Sequence, residues 1–156
     1  MKKTVFFMPL LAVASLCAVA GTSIAATPVT MQPESVIGAR QAAYAFMAGN
    51  FGEMKAAIAA GKSPKDFADT AQDMAEWAAL IPAMFPPGTE TGNDTKAKPA
   101  VFSDPKGFAH AAGVFEVAAK DLAAAAKADD KIAFAAAFKT TAKACGACHK
   151  SYREKD

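Results

Sequence analysis

Seven residues spaced by alternating steps of three and four, Ile37, Arg40, Tyr44, Met47, Phe51, Met54 and Ile58, constrain this fold more than any other feature. An α-helix turns once every 3.6 residues, so this spacing lays all seven along one narrow stripe. Such a stripe is the seam of a bundle helix, which can be buried only against partner helices. One member is wrong for an apolar core. Arg40 brings a charge into the seam, which is costly unless a partner pairs with it or its head snorkels out to solvent.

Three further segments carry helical signals. The first helix runs from about Glu34 to Ala59 and ends at Gly61. Ser63-Pro64, a capping residue before a first-turn proline, opens the second. Phe67, Thr70, Met74, Trp77, Ile81 and Met84 are its expected inward stripe. Pro82 kinks or ends this helix, and Pro86-Pro87-Gly88 stops it. Asp104-Pro105 repeats the cap-plus-proline signal and opens a third helix, with Phe108, Ala112, Phe115, Ala119 and Leu122 inward. Asp129 and Asp130 place negative charge at the positive end of a fourth, whose stripe is Phe134, Phe138, Thr141, Cys145, Cys148 and Tyr152.

Alanine is abundant throughout and favours helix by intrinsic propensity. From Pro86 to Ser103 the chain is rich in Pro, Gly, Thr and Lys without a helical period, which predicts a long crossover loop. The predicted fold is therefore all-α, an antiparallel up-down-up-down four-helix bundle with a long loop between helices 2 and 3. No strand is predicted.

The N-terminus reads as an export signal rather than as part of the fold. Lys2 and Lys3 precede an apolar run from Val5 to Ala20, and Ser23-Ile24-Ala25 supplies the small residues of a cleavage site. Residues 1–25 are thus the expected signal peptide, and 26–156 the expected single domain. The run is short for a membrane span and lacks a stop-transfer flank. Leu16 before Cys17 does not suit a lipobox, so no membrane anchor is expected after cleavage and the mature chain is expected in the periplasm. The 17 Lys and Arg include Lys2 and Lys3, so the remaining 15 balance the 15 Asp and Glu. A nucleic-acid partner would ask for a basic excess and is disfavoured.

Only Cys145 and Cys148 remain after such cleavage, and His149 follows at once. Cys145-Gly146-Ala147-Cys148-His149 is the C-x-x-C-H signature of covalent haem attachment. On a helix the two thiols lie roughly 60° apart within one turn, so both reach vinyl groups on one porphyrin edge. His149, four residues past Cys145, projects from nearly the same face toward the iron. Three other readings compete. A disulfide closing so short a loop contributes little, a thioredoxin-like pair asks for a βαβ unit, and a zinc site asks for four ligands where His110 is the one other imidazole. His110 itself reads as a surface residue. The motif predicts one haem c per chain.

The motif lies close to the C-terminal end of the sequence and on the last of four helices. In that respect, and in Arg40-Gln41, Met47, Phe51-Gly52, the Pro87-to-Glu90 segment Pro-Gly-Thr-Glu and Cys148-His149-Lys150-Ser151-Tyr152-Arg153, the chain resembles the cytochrome c′ family. The resemblance covers essentially the whole of residues 26–156, although the loop after Glu90 is longer than in compact members. It implies that Arg40 and Gln41 lie at the haem propionate edge, that Tyr44 occupies the distal face where six-coordinate relatives carry Met, and that Arg153 lies near the proximal imidazole. For Arg40 solvent remains the rival partner, and for Arg153 simple solvation.

The occupant of the distal face decides between functions. A strong ligand gives a six-coordinate, low-spin haem suited to electron transfer, whereas apolar packing leaves a five-coordinate iron open to a small gas. Tyr44, a neutral phenol near pH 7, is a poor ligand but a good cap. Met47 is the rival ligand, although Met at a seam is more often filler. The resemblance implies binding of nitric oxide or carbon monoxide, transfer of electrons with a redox partner protein, and a helix-packed homodimer. A peroxidase would want a distal acid–base group, for which Tyr44 and Arg40 are weak substitutes, so the chain is not expected to be an enzyme.

Overall fold

A computed structural model describes residues 31–155. The expected signal peptide, with Cys17 inside it, lies outside the described residues. Four long helices form the bundle: α1 (Pro33–Ala59), α2 (Ala68–Leu80), α4 (Pro105–Lys127) and α5 (Lys131–Tyr152). The all-α four-helix architecture predicted from the stripes is the one observed, and no strand occurs among the described residues.

Local chemistry explains most of the boundaries. Pro33 starts α1 and Gly61 follows its end in the left-handed region, at φ +64°. Asp104 caps α4 by accepting from the Gly107 amide at 3.0 Å. Asp130 caps α5 by accepting from the Ile132 and Ala133 amides.

Three local expectations are corrected. Ser63 is no cap: Pro64–Phe67 forms a 3-10 turn, and the Ser63 hydroxyl donates to Asp129 at 2.6 Å. That tie ends Asp129's part in α5 and holds it at φ +54°, leaving the capping to Asp130 alone. Trp77 does not point inward but is 39% exposed, because Ala71, Met74, Ala75, Ala78 and Ile81 fill the buried face of α2 and its 3-10 extension Ile81–Met84. The crossover is not wholly irregular either. It contains a one-turn helix, α3 (Ala100–Ser103), which seats Val101 in the core.

The core is unevenly distributed. α4 buries Ala112, Ala118, Ala119, Ala123, Ala125 and Ala126 beside Phe108, Phe115 and Leu122, and packs closely against both α2 and α5. Small side chains allow that close approach and large ones fill what remains. Buried Thr141 donates to the carbonyls of Ala118 and Ala137, so its hydroxyl is satisfied where no water reaches. α1 stands further off. The Phe51–Phe138 stack, with ring centroids 4.0 Å apart, bridges it to α5.

Candidate functional site

Between α1 and the rest of the bundle lies a cavity of about 640 Å³. Cofactor sites typically enclose roughly 300–1,000 Å³. Tyr44, Met47 and Phe51 of α1 form one wall, and Ala142, Cys145, Cys148 and His149 of α5 form the opposite one. Met74, Ile81, Phe108 and Phe115 close the inner side, while Arg40, Gln41, Thr95, Lys96 and Arg153 stand on the rim. The fold thus brings together every residue that the sequence singled out for haem binding. His110 is exposed elsewhere on α4, as expected.

Cys145 and Cys148 are both free thiols, half-buried. Burial pushes both above the usual thiol range, and the neighbouring Cys148 raises Cys145 further. No cluster of three or more His, Cys, Asp and Glu side chains suited to a metal ion occurs among the described residues, so the zinc reading lacks its ligands. His149 is exposed at the cavity wall. Partial burial holds its imidazole below the ordinary value, and the positive charge of Arg153 lowers it again. A neutral ring nitrogen, the form that binds iron, is therefore favoured at neutral pH. Arg153 is exposed, yet close enough for its charge to be felt by His149.

Tyr44 is half-buried, its ring 6.4 Å from that of Phe85. Burial raises its phenol far above the ordinary value, the Cys148 thiol adds to the rise, and Arg40 partly opposes it. The group is a neutral phenol at any physiological pH. Met47 is buried on the same wall and belongs to the continuous apolar core.

The structure decides one of the two placements for Arg40. It is 3% exposed and does not snorkel. Nη1 donates to the Thr89 hydroxyl at 2.8 Å and to the Met84 carbonyl at 3.4 Å. Nη2 donates to the Thr89 carbonyl and the Thr95 hydroxyl, each at 2.9 Å. The guanidinium also stacks 4.3 Å from the Phe85 ring centroid. Burial lowers its pKa, with Tyr44 and Glu90 opposing, but a guanidinium stays charged. Gln41 is exposed and donates to the Asn93 carbonyl at 2.7 Å, while Asn93 donates to the Glu34 carbonyl. Arg40 and Gln41 thus clamp the crossover to α1.

The other end of that crossover is tied to α5. An isolated antiparallel bridge joins Ala97 and Arg153. The Lys98 amide donates to Tyr152 and the Glu154 amide to Lys96. Residues 86–99 are therefore a strap from the α1 wall to the α5 wall across the cavity rim. Thr89, Thr95 and Phe85 were not anticipated as site residues. Thr89 lies in the Pro-Gly-Thr-Glu segment, but nothing in its sequence shows that its hydroxyl and carbonyl both serve Arg40.

A covalent tetrapyrrole needs a slot with apolar walls, two thiols and an imidazole on one side, and polar donors at the edge, and this cavity supplies each. The sequence profile of the Cytochrome C′ family matches residues 35–153. The chain belongs to the cytochrome c′ family. Cytochrome c′ of Rubrivivax gelatinosus is 41% identical over 127 residues, covering 80% of this chain and 98% of that one. Among solved structures, cytochrome c′ from Thermochromatium tepidum superposes with a TM-score of 0.75 at 35% identity, covering 80% of this chain and 98% of the other. A nitric oxide complex of a variant cytochrome c prime from Alcaligenes xylosoxidans superposes with a TM-score of 0.74 at 32% identity, covering 81% and 99%. Membership of the cytochrome c′ family implies a c-type haem, and the free thiols and the cavity fit one.

Proposed function

We propose that this cytochrome c′ is a periplasmic haem protein whose iron binds nitric oxide or carbon monoxide and can accept and pass on single electrons. Cleavage after Ala25 delivers the chain to that compartment. No helix among the described residues is long and apolar enough to cross a membrane. One haem per chain would be held through thioethers at Cys145 and Cys148, with His149 to bind its iron. Bound there, haem would supply a redox-active iron able to take up a small gas. Tyr44, on the facing wall, would cap the iron as a neutral phenol, and Arg40 and Gln41 fix the strap where the propionate edge would lie.

One observation carries this reading. Tyr44 and the C-x-x-C-H segment stand on opposite walls of a single cavity, near enough for Cys148 to raise the Tyr44 phenol. The Alcaligenes relative bound to nitric oxide supports the gas assignment. Met47 lies on the same wall as Tyr44, which keeps a six-coordinate electron carrier as the second reading. Absorption and resonance Raman spectra of the ferric and ferrous protein, with and without nitric oxide, separate the two. A high-spin ferrous haem that takes up nitric oxide is expected. A low-spin spectrum with a sulfur–iron band that disappears in Met47→Ala would overturn the gas-binding reading.

The homodimer belongs to the same proposal. Phe46 on α1 and Trp77 and Leu80 on α2 expose apolar surface that a second copy can cover. Sedimentation equilibrium tests it, with a monomer at micromolar concentration as the opposing result.

A further inference from the structure

The charges of this molecule are sorted by helix. α2 carries Asp69, Asp73 and Glu76 and no basic residue. α5 carries Lys131, Lys139, Lys143 and Lys150 and no acidic residue. α4 packs against both, so the acidic and the basic helix are its two main neighbours. Lys139, Lys143 and Lys150 fall within about 40° around the helix axis and are all exposed.

The strap extends the basic surface to the cavity rim. Its bridge to the C-terminal segment sets Lys96 and Lys98 beside Lys150, Arg153 and Lys155, and the Lys98 ammonium donates to the Lys150 carbonyl at 2.9 Å. Glu154 and Asp156 are the acids of that segment, and Glu90 and Asp94 lie earlier in the strap. Lys96 and Arg153 line the cavity, and His149 is exposed between strap and helix. The ion pair found among the described residues, Lys120 with Glu116, lies on α4. Lys131 donates to the Gly61 carbonyl at 2.7 Å, whereas Lys139, Lys143 and Lys150 form no ion pair among the described residues.

Core packing explains none of these charges, and the helix dipole accounts only for Lys150 in the last turn of α5. Residues 26–156 have no net charge, so the sorting gives a dipole rather than an excess. A dipole orients an approaching charged molecule toward one face.

We propose that the outer face of α5 and the strap rim form the docking surface for an acidic one-electron redox protein. Docked there, the partner faces the open side of the cavity beside His149. One electron leaves its reduced centre and ferric iron becomes ferrous, with no bond made or broken and no proton moved. The inference rests on the haem reading and adds the chemistry of the electron donor to it. A membrane surface fits less well. Interfacial helices insert apolar side chains beside their basic ones, whereas Ile132 is the one large exposed apolar residue of α5.

The test uses the ferric holoprotein and a reduced, acidic plant-type ferredoxin, whose potential of about −400 mV suffices for the transfer. Pyridine haemochrome spectra first establish covalent haem, so failure of the haem reading is seen before any kinetics. The bimolecular rate is expected to fall steeply as salt rises. Lys143→Glu/Lys150→Glu is expected to slow it about tenfold at low salt and to flatten the salt dependence, within the range that electrostatic steering commands. Lys62→Glu, beyond the opposite end of α1, leaves it unchanged. Reduction by an uncharged flavin semiquinone should be equal in all three proteins, which separates docking from an altered haem. Should the double reversal fail to fold, Lys143→Gln/Lys150→Gln is expected to slow the reaction about threefold.

Three results overturn the proposal. One is a ferredoxin rate indifferent to salt and to both substitutions. Another is sedimentation of the holoprotein with vesicles of equal phosphatidylglycerol and phosphatidylcholine at 0.15 M salt. The third is self-association abolished by Lys143→Glu/Lys150→Glu, which would assign the face to a second copy.

Discussion

Two halves of this bundle are built by opposite means. Where α2, α4 and α5 meet, alanines let the helices close on one another, and Leu122 and Phe134 are fully covered. Between α1 and α5 a cavity of about 640 Å³ stays open, and directed polar contacts rather than packing hold its rim. Apolar contact is non-directional and closes whatever space it can. A protein that must keep a slot open needs contacts that fix distance and orientation. The Arg40 clamp and the bridge between strap and α5 are such contacts.

The contrast is most sharply drawn by the largest effect. Phe134→Ala, in the closed half, should cost about 3–5 kcal/mol in denaturant unfolding, because a fully buried ring is removed from a tightly packed site. The visible spectrum of the folded holoprotein should stay unaltered. A loss below about 1 kcal/mol would show that this half is not close-packed.

Arg40→Met removes the clamp and strips the buried Thr89 carbonyl of its guanidinium donor, while the Thr89 hydroxyl keeps its bond to the Pro86 carbonyl, which should cost roughly 1–3 kcal/mol. Here the distribution matters more than the total. Amide exchange should rise across residues 89–97 and stay low in α4. Uniform acceleration along the chain would mean that the two halves do not differ in the way described.

Gly107 probes the hinge between them. An added Cβ would stand 2.6 Å from the Tyr152 hydroxyl and closer still to the Asp104 carboxylate, which together link the start of α4 to the end of α5. Gly107→Ala should therefore cost about 1–3 kcal/mol in thermal or denaturant unfolding despite alanine's better helix propensity. An unchanged or raised melting temperature would contradict the described packing.

The smallest effect belongs to the far end of the bundle. The Ser63 hydroxyl, then the Lys65 amide, hold Asp129 below the ordinary aspartate value of 3.8. A depressed folded-state pKa stabilises above the unfolded value, and that contribution is lost as pH falls through the folded one. Ser63→Ala should narrow the stability gap between pH 7 and pH 3, leaving the two proteins alike below the folded pKa of Asp129. Parallel pH profiles would remove Asp129 from acid sensitivity.

Much of this was legible in the chain because its signals are local. A helical stripe, a proline after a capping residue and two cysteines three apart each act within a turn or two of backbone. The four long helices, the Asp104 and Asp130 caps and the Cys145–Cys148–His149 segment follow from them. Trp77 fell outside that reach. Periodicity ranks it with Met74 and Ile81, but Ala71, Met74, Ala75, Ala78 and Ile81 already fill the face of α2 and its extension that meets the core, and Trp77 is turned outward. Ser63 and Asp129 failed for a related reason. Each looks like a cap to its own helix, while their contact spans 66 residues of sequence.

The sequence by itself determined the family and the C-x-x-C-H segment, since both are written in residue types at fixed short spacings. Tertiary structure alone decided what Arg40 does. In the chain it is a charge misplaced in an apolar stripe, equally suited to water or to an anion. In the fold it meets Thr89, Thr95 and Met84, residues 44 to 55 positions away, and becomes the clamp of the strap. No local rule could foresee this, because a buried guanidinium is satisfied by whichever carbonyls and hydroxyls the folded backbone presents, and their positions exist only once the helices have packed.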